Sequence, residues 1–245
     1  MKKCLILLPA LLSFGLAACG DKKDAPAASG VKAGEVVPPP AGTSWSNAVR
    51  ATPEGGYVKG NPEAAIRIVE FGSFTCSHCA DFSEKSANEL DSMVDTGKMS
   101  FEFRPYVRDP LDMTVALLAE CSGPEPFFAL SHQLFAYQPQ MFQTIQAAGE
   151  DAYRTAMEKP LDQRFTALAR LAGLIEFAKQ RGISEEKAGQ CLTDPKKVET
   201  LAGQVQKAND QYEITGTPTL LMNGSVMENV PTWDALKAKL KEAGV

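Results

Sequence analysis

Positive charge is in short supply in this chain. Lys and Arg number 25 against 30 Asp and Glu, a formal net charge of −5 over 245 residues. A nucleic-acid partner is therefore not expected, since phosphate neutralisation needs a basic face. Gly-rich phosphate loops, dinucleotide glycine patterns and internal repeats are also missing, and no cofactor is expected. Histidine is scarce: His78 and His132 are the only two. With no second C-x-x-C, a structural zinc site would be two ligands short. The apolar run over residues 4–18 is too short to cross a bilayer, which takes about 20 residues. Gly and Pro are near ordinary usage, so collagen-like and disordered readings fail. What is present is a 44% hydrophobic share, enough for a sizeable core, and six cysteines.

Met1-Lys2-Lys3 followed by the apolar run reads as an export signal rather than a membrane helix. Leu16-Ala17-Ala18-Cys19 is similar to the lipobox of bacterial lipoproteins. That similarity implies cleavage before Cys19, acylation of Cys19, and a lipid-anchored protein on the periplasmic side of a bacterial cell envelope. Residues 1–18 are then the signal peptide. Residues 19–44, rich in Ala, Gly, Pro and Ser and stiffened by Pro38-Pro39-Pro40, are a tether.

Beyond the tether, residues 65–71 form a short β-branched run expected to be a largely buried strand. Residues 98–107 alternate, with Met99, Phe101, Phe103 and Val107 on one face and Ser100, Glu102 and Arg104 on the other, which predicts a half-buried strand. Asn223-Gly224 between two apolar stretches predicts a hairpin over 219–227, because this dipeptide accepts the positive φ of a type I′ turn. Trp233, Leu236 and Leu240 share one face of a terminal amphipathic helix. Helical periods run through residues 110–200, as at Val115/Leu118/Ala119 and Leu168/Leu171/Ile175. The expected fold is α/β: a first part at 45–109, a helical insert at 110–200 and a closing part at 201–245.

Cys76-Ser77-His78-Cys79 carries the chemistry. A C-x-x-C directly after a strand and opening a helix can be a redox pair, half of a metal site or two buried thiols. A strand-to-helix corner should expose the first thiol, which disfavours the last. Haem attachment fails because Ala80, not His, follows Cys79. The redox reading fits the neighbours: unpaired N–H groups and the helix dipole at the N-terminus favour a Cys76 thiolate. His78, if cationic, adds a second favourable charge. A stabilised thiolate makes the reduced pair comfortable and its disulfide a good oxidant.

From about Val58 to the C-terminus the chain resembles the DsbA-like branch of the thioredoxin superfamily. The resemblance rests on Glu70-Phe71-Gly72-Ser73-Phe74-Thr75 leading into the C-x-x-C, on the helical insert, and on Thr215-Gly216-Thr217-Pro218-Thr219. It implies a thioredoxin fold, a mixed central sheet flanked by helices, with an inserted α-helical domain. It also implies that Cys76 attacks and Cys79 resolves, and that Pro218 is a cis-proline setting the Thr217 backbone against the disulfide and accepting a substrate strand. Glu70 is implied as the buried acid that relays a proton to or from Cys79. Two positions depart from the pattern of the family's oxidases: Ser77 stands where they carry Pro, and Thr217 is similar to isomerase-type relatives.

Of the six cysteines, Cys4 leaves with the signal and Cys19 takes lipid, which leaves four: the pair at Cys76 and Cys79, plus Cys121 and Cys191. An oxidising compartment favours pairing the latter two with each other. His132 is expected to be structural. The leading expectation is a thiol–disulfide oxidoreductase that forms disulfides in exported proteins with free cysteines and exchanges electrons with a membrane redox partner. An isomerase or reductase of the same fold is the alternative. A copper carrier using Cys76, Cys79 and His78 is the rival of another class.

Overall fold

The computed structural model describes residues 38–245. The expected signal peptide, Cys19 and all of the tether before Pro38 lie outside the described residues. A 3-10 turn at Trp45–Asn47 leads into β1 (Val49–Ala51) and β2 (Tyr57–Gly60). Next come β3 (Ile66–Gly72), α1 (Ser77–Asp95) and β4 (Met99–Pro105). Six helices follow: α2 (Pro110–Ala119), α3 (Phe127–Ala148), α4 (Glu150–Met157), α5 (Leu161–Leu171), α6 (Leu174–Lys179) and α7 (Glu185–Leu192). Then α8 (Pro195–Tyr212) returns the chain to the sheet, and β5 (Thr219–Met222), β6 (Ser225–Val226) and α9 (Trp233–Glu242) close it.

The sheet has the order β1-β2-β4-β3-β5-β6. Among the described strands only β3 and β4 run parallel, and α1 is the crossover that a parallel pair requires. β3 sits inside the sheet between β4 and β5, so both its edges are paired, and helices cover its two faces. Ile68, Phe101, Phe103 and Leu220 join the main core with Phe82 and Leu90 of α1 and Trp233, Leu236 and Leu240 of α9. On the opposite face Val69, Phe71 and Leu221 pack with Ala208 of α8, flanked by Tyr106 and Tyr212. The expected hairpin is there, with Leu221 opposite Val226 and positive φ at Asn223 (51°) and Gly224 (85°).

Two expectations need correction, and one pair of strands was not foreseen. β4 is not half-buried: its polar face is covered as well. Glu102 is only 9% exposed; it takes a two-pronged ion pair from Arg104 (2.7 and 3.0 Å) and the Thr52 hydroxyl (2.7 Å). Arg104 in turn lies over the Phe71 ring. Alternation signalled a solvent face, but paired charges can be buried when every one is satisfied. The helical stretch does not stop at residue 200 either. α8 runs across it to Tyr212, because its Leu201 and Ala208 have a core to face. Finally, β1 and β2 are too short to leave a periodic signal, and they form by pairing onto β4, Tyr57 opposite Phe103.

The insert is anchored at both ends. Asp109 caps α2, its carboxylate accepting the Asp112 N–H at 2.9 Å, with Pro110 in the first helical position where its missing N–H costs nothing. Every residue from Leu111 to Ala119 is buried. Just past α2, Cys121 is disulfide-bonded to Cys191 of α7, with Cα atoms 5.7 Å apart.

Candidate active site

The site lies where β3 ends and α1 begins. Cys76 is the N-cap of α1, with extended φ/ψ, and its carbonyl accepts the Ala80 N–H at 3.1 Å. No side chain caps this terminus and its first turn holds no acid, so the N–H groups of the first turn are left to the Cys76 sulfur. The pair is in its dithiol form.

Cys76 differs from expectation in one respect. The corner does not expose it: Cys76 is 6% exposed and Cys79 not at all, while Ser77 and His78 between them face solvent. The cover comes from the segment before β5. There the Thr217–Pro218 peptide bond is cis, and the Cys76 thiol donates to the Thr217 carbonyl at 3.2 Å. The Thr217 hydroxyl is buried beside the pair and has no other partner among the described residues, which leaves it to the Cys76 sulfur.

The two thiols are driven apart electrostatically. The Cys76 pKa is lowered to about 4, first by a hydrogen bond from Cys79, then, against the cost of burial, by the Thr217 hydroxyl and the backbone N–H groups of Cys79 and His78. Cys79 is pushed strongly up, chiefly by burial and then by its bond to Cys76 and the nearby Glu70. Its sulfur also receives the Ser73 N–H at 3.5 Å. This arrangement yields one stabilised thiolate and one retained proton, the condition for directional thiol chemistry. His78 contributes to it through its backbone N–H.

Glu70 is 3% exposed on β3, opposite Leu220. Burial, and then the charge of Cys76, raise its pKa to about 8, and its Oε1 has no hydrogen-bond partner among the described residues. Gly72 lets the site close over it: a Cβ there would lie 2.3 Å from the Phe103 ring and 2.9 Å from Glu70 Oε1. Glu70 also borders a cleft of about 340 Å³ between α1 and α3, beside Ser86 and Ser131. His132 lies elsewhere on that cleft and shares a hydrogen bond with Ser83 at 3.2 Å. Among the described residues no group of three or more His, Cys, Asp or Glu could hold a metal ion.

Three polar side chains that touch the loop before Cys76 were not singled out from the sequence: Arg108, Asp112 and Gln138. Asp112 sits in the apolar run of α2, and Gln138 precedes Pro139 inside α3. A charged or amide residue on an otherwise buried helix face was the available signal.

The comparisons agree with this geometry. Residues 52–242 match the family profile described as Thioredoxin. A protein of Rickettsia bellii provisionally named protein-disulfide oxidoreductase is 27% identical over 177 residues, covering 72% of this chain and 60% of that protein. The chain thus spans only about three fifths of that relative. A solved protein-disulfide isomerase from Novosphingobium aromaticivorans is 32% identical, with a TM-score of 0.73 over 78% of this chain and 98% of the other. Wolbachia pipientis alpha-DsbA1 shares the fold, with a TM-score of 0.59 at 20% identity over 76% of this chain and 89% of the other. By its profile match the chain belongs to the thioredoxin family, and it shares its fold with DsbA proteins.

Proposed function

We propose that the protein is a thiol–disulfide oxidoreductase that forms disulfides in exported cell-envelope proteins through Cys76-Ser77-His78-Cys79. The observation that carries this reading is the asymmetry of the pair: a Cys76 thiol lowered to about 4 beside a Cys79 thiol pushed up by burial. In the oxidising direction a substrate thiolate attacks Cys76 Sγ of the disulfide form. A mixed disulfide forms and the Cys76–Cys79 bond breaks. Cys79 leaves as a thiolate and takes the proton that Glu70 holds. A second substrate thiolate then attacks the substrate sulfur and releases Cys76 as its stabilised thiolate. Two electrons have passed from substrate to enzyme, and a membrane redox partner removes them. Thr217 and Pro218 present backbone to the substrate strand, and the Thr217 hydroxyl meets the Cys76 thiolate as it is released.

An isomerase or reductase role is the second reading. It is favoured by Thr217 and by the name of the 32%-identical relative, a protein-disulfide isomerase. Titrating the pair against glutathione, read by thiol alkylation, separates the two. An oxidising potential supports disulfide formation, and a strongly reducing one overturns it. Metal content after purification without reductant tests the copper carrier.

The cellular setting is also a proposal. Cys19 would carry the lipid that holds the protein on the periplasmic side of the envelope; among the described residues no helix is long and apolar enough to cross a membrane. Changing Cys19 to Ser should move the protein out of the membrane fraction, and unchanged fractionation would end the lipoprotein reading.

A further inference from the structure

The loop that delivers Cys76, residues 73–76, is buried and belongs to no helix or strand. Its polar backbone atoms cannot be satisfied by a ladder and must find other partners. Some partners are local: the Cys76 N–H donates to the Ser73 carbonyl, the Thr75 N–H to the Ser73 hydroxyl and the Ser73 N–H to the Cys79 sulfur. The side chains that reach the loop backbone from farther along the chain come from the helical insert and its lead-in. Asp112 on α2 is 1% exposed. Its carboxylate accepts the Ser73 hydroxyl at 2.6 Å, the Phe74 N–H at 2.8 Å and the Arg108 N–H at 3.0 Å. Gln138 on α3 is 4% exposed. Its amide donates to the Phe74 carbonyl at 2.9 Å and to the Cys76 carbonyl at 3.1 Å. Between the two contacts the Phe74 ring packs on Phe103 and Phe135. Arg108 adds two bonds from outside, to the Ser73 hydroxyl (2.8 Å) and the Thr75 hydroxyl (3.1 Å).

The division of labour is complementary. Asp112 is acceptor-only and takes the loop's donors, while Gln138 supplies donors and takes its carbonyls. Each contact bears on the redox pair. Ser73, fixed by Asp112, is the residue whose N–H reaches the Cys79 sulfur. The Cys76 carbonyl, fixed by Gln138, belongs to the residue whose sulfur must meet the first-turn N–H groups of α1. We propose that Asp112 and Gln138 form a two-sided clamp by which the helical insert fixes the approach of Cys76 Sγ to the α1 N-terminus. Both are then positioning residues of the thiol–disulfide site. The inference rests on the function proposed above and gives the insert a part in tuning the pair.

A merely structural role would cost stability and leave the sulfur alone. The test therefore reads the sulfur. In the full chain, Gln138→Met keeps the length and removes both donors, and Asp112→Asn retains one acceptor oxygen and withdraws the other. Thr114→Val is the control: its buried hydroxyl bonds the Pro110 carbonyl at 2.8 Å within α2 and does not touch the loop. For each protein, Cys76 ionisation is followed by alkylation rate against pH, the glutathione equilibrium by thiol trapping, and global stability by urea unfolding. The clamp predicts that Gln138→Met and Asp112→Asn raise the Cys76 pKa. Each should also shift the glutathione equilibrium about tenfold toward the disulfide form, whereas Thr114→Val loses stability only. Folded clamp variants that titrate like the unmodified chain, or a Thr114→Val that shifts Cys76 as far, would overturn the clamp. If the unmodified chain itself does not exchange with glutathione, the proposed function fails rather than the clamp.

Discussion

Cys76 and Cys79 sit three residues apart and differ in everything that governs thiol exchange. Cys76 is stabilised as a thiolate by donors converging on a helix start, and Cys79 is buried and held protonated. That difference predicts the order of attack. In Cys79→Ala, mixed disulfides between Cys76 and exported proteins should accumulate, because nothing resolves them; in Cys76→Ala few should form. Non-reducing gels of the two variants decide it, and equal trapping would remove the asymmetry. His78 is subtler. The residue types at 76–79 point to a redox pair, but sequence could not divide His78 between ring and backbone. The backbone N–H is what lowers the Cys76 pKa, while the side chain is exposed, where a charge on the ring is screened by water. His78→Ser keeps the N–H and removes the ring. A rise of at most about one pKa unit at Cys76 is expected, about 1.4 kcal/mol, or about 30 mV toward a more reducing potential. A larger shift in a glutathione titration would return the leading role to the imidazole.

Among the elements, those with a strong period were legible in sequence and those that exist by pairing were not. β3, the β5–β6 hairpin and α9 follow from β-branched content, Asn223-Gly224 and the Trp233/Leu236/Leu240 face. β1 and β2 have three and four residues, too few for a pattern, and need β4 as a template. Ser100, Glu102 and Arg104 misled for a different reason: alternation reports polarity, and it cannot report that Arg104 and Glu102 satisfy each other beneath cover. Asp112 and Gln138 were hidden likewise, since their partners lie more than 35 residues away in the chain. The pairing of Cys121 with Cys191 joins α7 to the chain just beyond α2 across a separation of 70 residues. On the chain-entropy account, a loop of that length stabilises by roughly 4 kcal/mol, an upper-range figure. Cys121→Ala/Cys191→Ala should lower the urea midpoint accordingly while Cys76 titrates as before. Peptide mapping that finds either cysteine as a free thiol in the native protein would contradict the bond.

At the scale of the whole molecule, the redox state of one pair bears on the stability of the fold, and pH sets the size of the difference. Closing Cys76 to Cys79 constrains only a very short loop of the unfolded chain, so the disulfide's own entropic contribution is small. Ionisation of the dithiol form matters more. Its Cys76 pKa is about 4 when folded and returns to about 8.5 on unfolding. A depressed pKa stabilises the fold fully above the unfolded value and loses that contribution as pH falls toward the folded one. Cys79 acts oppositely: its folded pKa is raised, so its contribution is present below about 8.5 and is lost above it. Glu70 is raised chiefly by burial, which both redox states share, and so largely cancels between them. The stability of the dithiol form minus that of the disulfide form should therefore grow from about pH 4 toward about pH 8 and decline beyond. Near neutrality the dithiol form should be the more stable, as expected of a protein whose disulfide is a good oxidant. Urea unfolding of both forms across this range measures the difference directly. A difference that stays flat with pH would mean that the Cys76 thiolate does not control the fold. A disulfide form more stable at neutral pH would turn the proposed direction of electron flow around.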